Sequence, residues 1–369
     1  MPRVKVKTKH VKNSYWIKRH GWALGSLVLL TLSVALFAGL LQTRPPADDQ
    51  NIVAVVKKGM GIRTPKDDGP HSVITEWWYY NGHLETMSGR RFSYHYTIFA
   101  HRAVAEHSIV HATLLDHETM KTYSFERRLP SLITEKLKSN GFKIGSSQWT
   151  MTLENGQDQL TGKAPDFSFD LQLQSPDQIV LQDDDGLLDF GEAGESYYYS
   201  RPRMATQGGL TLDGRTYQVT GESWFDHQWG EFSATVLNWN WFALQLDDGS
   251  DIMLFGITDF GGKEVFNGGT YSRNGQTIVF DKAAFDLREE GYWTSEKTKM
   301  TYPIDWTLDL RLPTETISVN LNAVKRASEF DARNSTYSVY WEGPIAISGS
   351  HSGKGFLEVS KANATAKAR

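Results

Sequence analysis

The sequence predicts an all-β body, antiparallel and arranged as a sandwich or barrel, behind one membrane-spanning helix. Three observations carry this. Residues 21–41 form 21 consecutive positions without a charge, which at about 1.5 Å per residue reach across a bilayer core. From Thr75 onward the chain alternates apolar and polar residues between Asn-Gly, Asp-Gly and Ser-Gly turn signals, the strongest short-range mark of hairpins. No amphipathic helix longer than about three turns passes the 3.6-residue test apart from a weak candidate at 326–333.

Taken in order, residues 1–20 carry seven Lys/Arg and no acid. The positive-inside rule therefore places them in the cytoplasm and the body on the other side, the periplasm in a Gram-negative cell. A cleaved signal peptide is the alternative reading of 21–41. The basic lead is long for one, however, and no A-x-A site precedes Pro45-Pro46. Residues 42–68 read as a linker with Pro, Gly and mixed charge. The first strand cluster is expected over 69–232 and the second over 234–360, each with enough strands for a small barrel, and 361–369 as a frayed tail. Within them TEWWYYNGHLE closes on Asn81-Gly82 and RFSYHYTIFAHR follows Ser88-Gly89. Further turns fall at Asp213-Gly214, Asp248-Gly249 and Asn274-Gly275.

Composition narrows the function. There is no Cys among 369 residues, which excludes disulfides, zinc-thiolate and iron–sulfur sites and thiol catalysis. The net charge of −4 averages a basic lead and an acidic body, and so acidic a body argues against nucleic acid as a partner.

Four constellations could carry chemistry. In Glu76-Trp77-Trp78-Tyr79-Tyr80, strand alternation puts Glu76, Trp78 and Tyr80 on one face. A carboxylate there needs a partner, for which Arg201 or Arg203 is a candidate. In Glu222-Ser223-Trp224-Phe225-Asp226-His227-Gln228-Trp229, Trp224, Asp226 and Gln228 share one parity and Phe225, His227 and Trp229 the other. Asp226 and His227 could form an acid/base group, or the same residues could tie one barrel to the next. Trp239, Trp241 and Gln245 share a face and could line a pocket for a long apolar ligand. Seven of the eleven histidines fall between His71 and His117, but without metal-ligand spacing. They are read as exposed or hydrogen-bonded, with no metal and no cofactor. No Gly-x-Ser-x-Gly elbow supports a serine hydrolase.

The stretches HSVITEWWYYNGHL, RFSYHYTIF, GESWFDHQWGEF, WNWFALQLDDGSDIMLF and YWEGPIAISGSHSGKGFLEV resemble the AttH/CrtC family, which includes carotenoid 1,2-hydratases. The resemblance implies two lipocalin-like antiparallel barrels with a ligand site at a mouth or interface. Members of that family include enzymes that hydrate an isolated double bond or guide a cyclisation. If this chain is an enzyme, the resemblance implies a hydro-lyase, in which a protein acid protonates the alkene, water captures the cation, and aromatic faces stabilise it. The carotenoid branch pairs a His-x-Trp with a Tyr/Asp pair one strand later. His227 and Trp229 match the first half, whereas Ile252–Gly256 carries no carboxylate, so Asp226 or Glu76 would serve as acid. The expected catalytic residues are thus Asp226, His227 and Glu76. Trp78, Tyr80, Tyr96, Trp224, Trp229, Trp239, Trp241 and Gln245 are expected to line an apolar (lipid, polyene or terpenoid) ligand. The other role that the resemblance allows is a non-catalytic accessory of an ABC transporter.

Overall fold

The computed structural model describes residues 61–360 except 103–105, 130, 140 and 177–178. The expected basic lead, membrane span, most of the linker and the tail lie outside the described residues. Among those described, no helix is long and apolar enough to cross a membrane.

Alternation and turn chemistry build two antiparallel sheets. The first contains β1 (Thr75–Thr86), β2 (Arg91–His101), β3 (His107–Asp116), β4 (Lys121–Leu129), β5 (Ile133–Lys136), β6 (Phe142–Gly145) and β7 (Trp149–Glu154). It continues with β8 (Gln157–Lys163), β9 (Phe167–Gln174), the short β10 (Val180–Leu181) and β11 (Leu187–Asp189), β12 (Gly194–Leu212) and β13 (Arg215–Phe232). Its order is β4-β3-β2-β1-β13-β12-β9-β8-β7-β6-β5, with β10 and β11 paired to β12. The second runs from β14 (Leu237–Leu246) and β15 (Asp251–Asp259) through β16 (Glu264–Arg273), β17 (Gln276–Asp281), β18 (Phe285–Thr294), β19 (Thr301–Arg311) and β20 (Thr316–Ala323). It ends with β21 (Glu329–Ala332), β22 (Ser338–Gly349) and β23 (Gly353–Ser360). Each sheet curls round its own core as a half-barrel, lipocalin-like in shape, and its strand order has two ends instead of closing into a ring.

The cores follow from alternation. On β7 and β9 every second residue is buried, so Trp149, Met151, Leu153, Phe167, Phe169, Leu171 and Leu173 point inward. Burying each large side chain contributes about 1.5–3 kcal/mol. The first core is unusually aromatic, with Trp78, Tyr80, Phe92, Tyr94, Tyr96, Trp149, Phe225 and Trp229 at its centre. A separate layer joins the two sheets, built from Tyr79, Tyr198 and Trp224 on one side and Trp241, Phe255 and Phe356 on the other.

Two expectations about elements change. Asn81-Gly82 is not a turn, because β1 runs straight through it to Thr86. At Gly82 a Cβ would collide with the Tyr94 ring and the Ser223 hydroxyl, which hydrogen-bond each other at 2.7 Å. This glycine therefore serves close packing across three strands. The helix candidate at 326–333 contains strand β21, paired with β22. Asp213-Gly214 and Asn274-Gly275 do turn, with both residues at positive φ, as a two-residue hairpin of this hand requires.

Candidate functional site

Strand β1 pairs with β13 so that Trp78 faces His227 and Glu76 faces Trp229. Residues directly opposite in a ladder share a face, so Glu76, Trp78, Tyr80, Phe225, His227 and Trp229 all enter the first core. Asp226, one residue from His227, points the other way. The three expected catalytic residues are divided accordingly: Glu76 and His227 meet, and Asp226 lies in the layer between the sheets.

Ahead of β1 the chain folds back over the core. Lys66–Asp68 forms a 3-10 turn, and residues 67–71, expected at the end of a linker and the start of the first cluster, are buried. This strap delivers His71. Glu76 Oε1 accepts from His71 Nδ1 at 2.8 Å and from His227 Nε2 at 3.1 Å. The His71 backbone N–H donates to both carboxylate oxygens, and Arg102 Nη1 donates to Oε2 at 3.2 Å. Arg102 is therefore the counter-ion of Glu76, in place of the expected Arg201 or Arg203.

The electrostatics follow from this packing. Burial would raise the Glu76 carboxyl, but hydrogen bonds and charge from His227 and His71 hold it down at about 2. An ionised carboxylate only accepts, so both nitrogens facing it carry hydrogen. Burial would lower His71, yet Asp67 and Glu76 outweigh it and raise its pKa. For His227 burial wins over Glu76 and the pKa falls. One imidazole thus favours the charged form and the other the neutral form. His71 Nε2 and His227 Nδ1 are both enclosed and have no hydrogen-bond partner, Asp67 standing 3.8 Å from the former. Trp229 stacks on His71 at 4.2 Å and Trp78 on His227 at 4.9 Å.

His71, Glu76 and His227 present ligand atoms within 4.8 Å of one another and could enclose a small cation. Each imidazole already donates to Glu76, however, and the Arg102 guanidinium occupies its other oxygen, which opposes a second cation there. The donor set fits an acid–base cluster better than a metal centre.

A second polar cluster shares this core. Arg201 Nη2 lies 2.7 Å from Asp68 Oδ2, and its Nη1 lies 3.4 Å from Asp158 Oδ2. Tyr199 donates to Asp68 at 2.5 Å and Tyr80 to Asp158 at 2.9 Å. Burial pushes the Asp158 carboxyl up to about 6 against the pull of Arg201 and Tyr80. A bulge in β12 between Arg201 and Met204 explains why Arg201 is inside while Arg203 is not. Alternation alone would aim both arginines the same way, and the extra residue re-phases the strand. Arg203 instead reaches Asp251 at 2.9 Å, near the second sheet.

Asp226 is saturated. Tyr198 and Ser200 donate to it at 2.5 Å each and Trp224 at 2.7 Å, while Trp241 of the second sheet donates to the Tyr198 hydroxyl at 3.0 Å. Burial nevertheless raises its carboxyl to about 6. This geometry fits the tie between sheets better than a reacting acid. Among the expected ligand-lining residues, Trp78, Tyr80, Tyr96 and Trp229 lie in the first core. Trp224 and Trp241 lie in the joining layer with Trp239 packed against it, and Gln245 is buried further along β14. A polar cleft of about 460 Å³, lined by Arg90, His117, Arg215 and Tyr217 among others, contains none of them.

The decisive comparison is with protein families: the AttH-like family model matches residues 55–361. The chain belongs to the AttH-like family. Within the AttH-like proteins, the crystal structure of an AttH from Nitrosomonas europaea superimposes with a TM-score of 0.75 at 25% identity. That match covers 84% of this chain and 99% of the other. Kievitone hydratase of Fusarium solani subsp. phaseoli is 24% identical over 215 residues, 55% of this chain. The match spans 58% of the length of that curated relative. The crystal structure of kievitone hydratase from Nectria haematococca shares the fold, with a TM-score of 0.68, 19% identity and coverage of 82% and 93%.

Proposed function

We propose that this AttH-like protein is a hydro-lyase that adds water to an isolated C=C bond of an apolar molecule inside the first sheet's core. The observation that carries the reading is one buried carboxylate holding two histidines, each with a free ring nitrogen. His71, charged, is the acid: its Nε2–H protonates the alkene. His227, neutral, is the base: its Nδ1 lone pair takes the proton of the water that captures the carbocation. Glu76 fixes both tautomers. The faces of Trp78 and Trp229 stabilise positive charge. The hydratase relative supports this direction, and its substrate suggests the first probe. Incubation with kievitone, a linear polyene and a terpenoid ketone in ¹⁸O-labelled water is expected to give a product heavier by one labelled water from at least one of them. No adduct from any of the three with folded protein would refute the proposal.

The acid's pKa sets the pH dependence. A protonated His71 exists below its folded pKa, which lies above the ordinary histidine value of 6.5. Turnover is therefore expected to fall only above pH 6.5, as the pH rises through the raised folded value. Asp67→Asn removes one of the carboxylates that raise it, so the falling limb moves to lower pH. A limb that stays in place in Asp67→Asn argues for a different acid.

We also propose that residues 21–41 anchor the chain, with the body outside the cytoplasm. This rests on the uncharged run and the basic lead. Carbonate washing should leave the full chain in the membrane fraction, and its appearance in the wash would count against anchoring.

A further inference from the structure

Among the described residues of the first core, five enclosed polar atoms have no hydrogen-bond partner. Three, on His71, His227 and Trp229, belong to the cluster round Glu76. The other two are the Tyr96 hydroxyl and Trp149 Nε1, on residues with no exposed surface. Their rings are 5.5 Å apart, and Phe169 packs edge-on against both. Tyr80 and Tyr199 each donate to an aspartate, so a tyrosine in this core ordinarily finds an acceptor. Tyr96 does not. Burial drives its phenol pKa well up, and the group stays a neutral donor. An indole N–H can only donate. Two donors without an acceptor in an aromatic surround match a neutral oxygen on a bound molecule.

We propose that Tyr96 and Trp149 form an oxygen-anchoring site that takes a neutral carbonyl or ether oxygen of an otherwise apolar alkene. Tyr96 pairs with Tyr80, and His227 pairs with Trp78, two residues back along β1. The anchor is thus displaced from the base by about 7 Å along the strand and by two strand spacings, about 10 Å, across the curled sheet, a separation that a branched chain of several carbons between an oxygen and a double bond can span. This selects oxygen-bearing alkenes over pure hydrocarbons. It rests on the reading that the substrate occupies the first core, but its test reads binding and not turnover.

The full chain in nanodiscs is titrated by intrinsic tryptophan fluorescence with geranylacetone and with the hydrocarbon in which the carbonyl is replaced by a methylene. The intact protein is expected to prefer the ketone by about tenfold. Tyr96→Phe and Trp149→Phe each weaken ketone binding by a similar factor and change hydrocarbon binding by less than about twofold. Equal loss for both probes would show a packing role, and equal affinity of the intact protein would show that solvent alone satisfies the pair. Either result overturns the proposal. If a variant fails to fold, the preference of the intact protein still decides. Ketone preference without any hydration would leave the anchor standing and remove the hydro-lyase reading.

Discussion

Glu76→Gln is expected to lower turnover by about 10²–10⁴-fold and to destabilise the fold at the same time. The amide keeps the shape of the side chain but loses the charge that faces His71, His227 and Arg102. Without it His71 loses a carboxylate that holds its proton, and the Arg102 guanidinium loses its partner. The stability effect has a definite sign. The folded carboxyl sits at about 2 against an ordinary 4.5, so its contribution, roughly 3 kcal/mol, is present above about 4.5 and disappears as the pH falls through the folded value. Denaturant unfolding at neutral pH should therefore show a loss of a few kcal/mol, shrinking at low pH. Retained turnover within about threefold of the parent would remove Glu76 from the mechanism.

Much of this was legible in the chain, and the boundary is physical. Alternation and Gly-containing turns follow from local backbone geometry, so the all-β body and most hairpins could be read directly. Parity is also local, and it separates Asp226 from His227 onto opposite faces; only the assumption that sequence neighbours act together joined them. Which faces meet is not local. That Glu76 and His227 enter one core depends on the pairing of β1 with β13, more than a hundred residues apart in sequence. His71 lay in view as part of a histidine-rich stretch, but its role depends on a strap that reads as linker by composition, since Asp67 and Asp68 look like solvated charges. Arg201-Pro202-Arg203 shows the same limit. Proline lacks the N–H that a ladder needs, which hints at a bulge, yet the consequence, one arginine inside and one outside, appears only once the strands are paired.

Arg201→Met is expected to cost about 3–5 kcal/mol, the largest stability loss of any single change considered. The guanidinium lies buried between Asp68 and Asp158, and methionine fills similar volume without charge. Removing the cation leaves two buried carboxylates facing each other. The response must then depend on pH. Asp158 already titrates at about 6, raised chiefly by burial, and without Arg201 it moves higher. A carboxyl raised in the folded state favours folding below its unfolded value near 3.8 and loses that contribution as the pH rises through the folded value. The variant should therefore be closest to the parent near pH 4 and furthest from it above pH 7. Adding Asp68→Asn and Asp158→Asn removes both orphaned charges and should recover more than half of the loss. A penalty below about 1 kcal/mol at neutral pH would mean that water reaches the pair and that the strap is not pinned from within. A full penalty that also abolishes turnover would fit a strap that carries both Asp68, which Arg201 holds, and His71, the proposed acid.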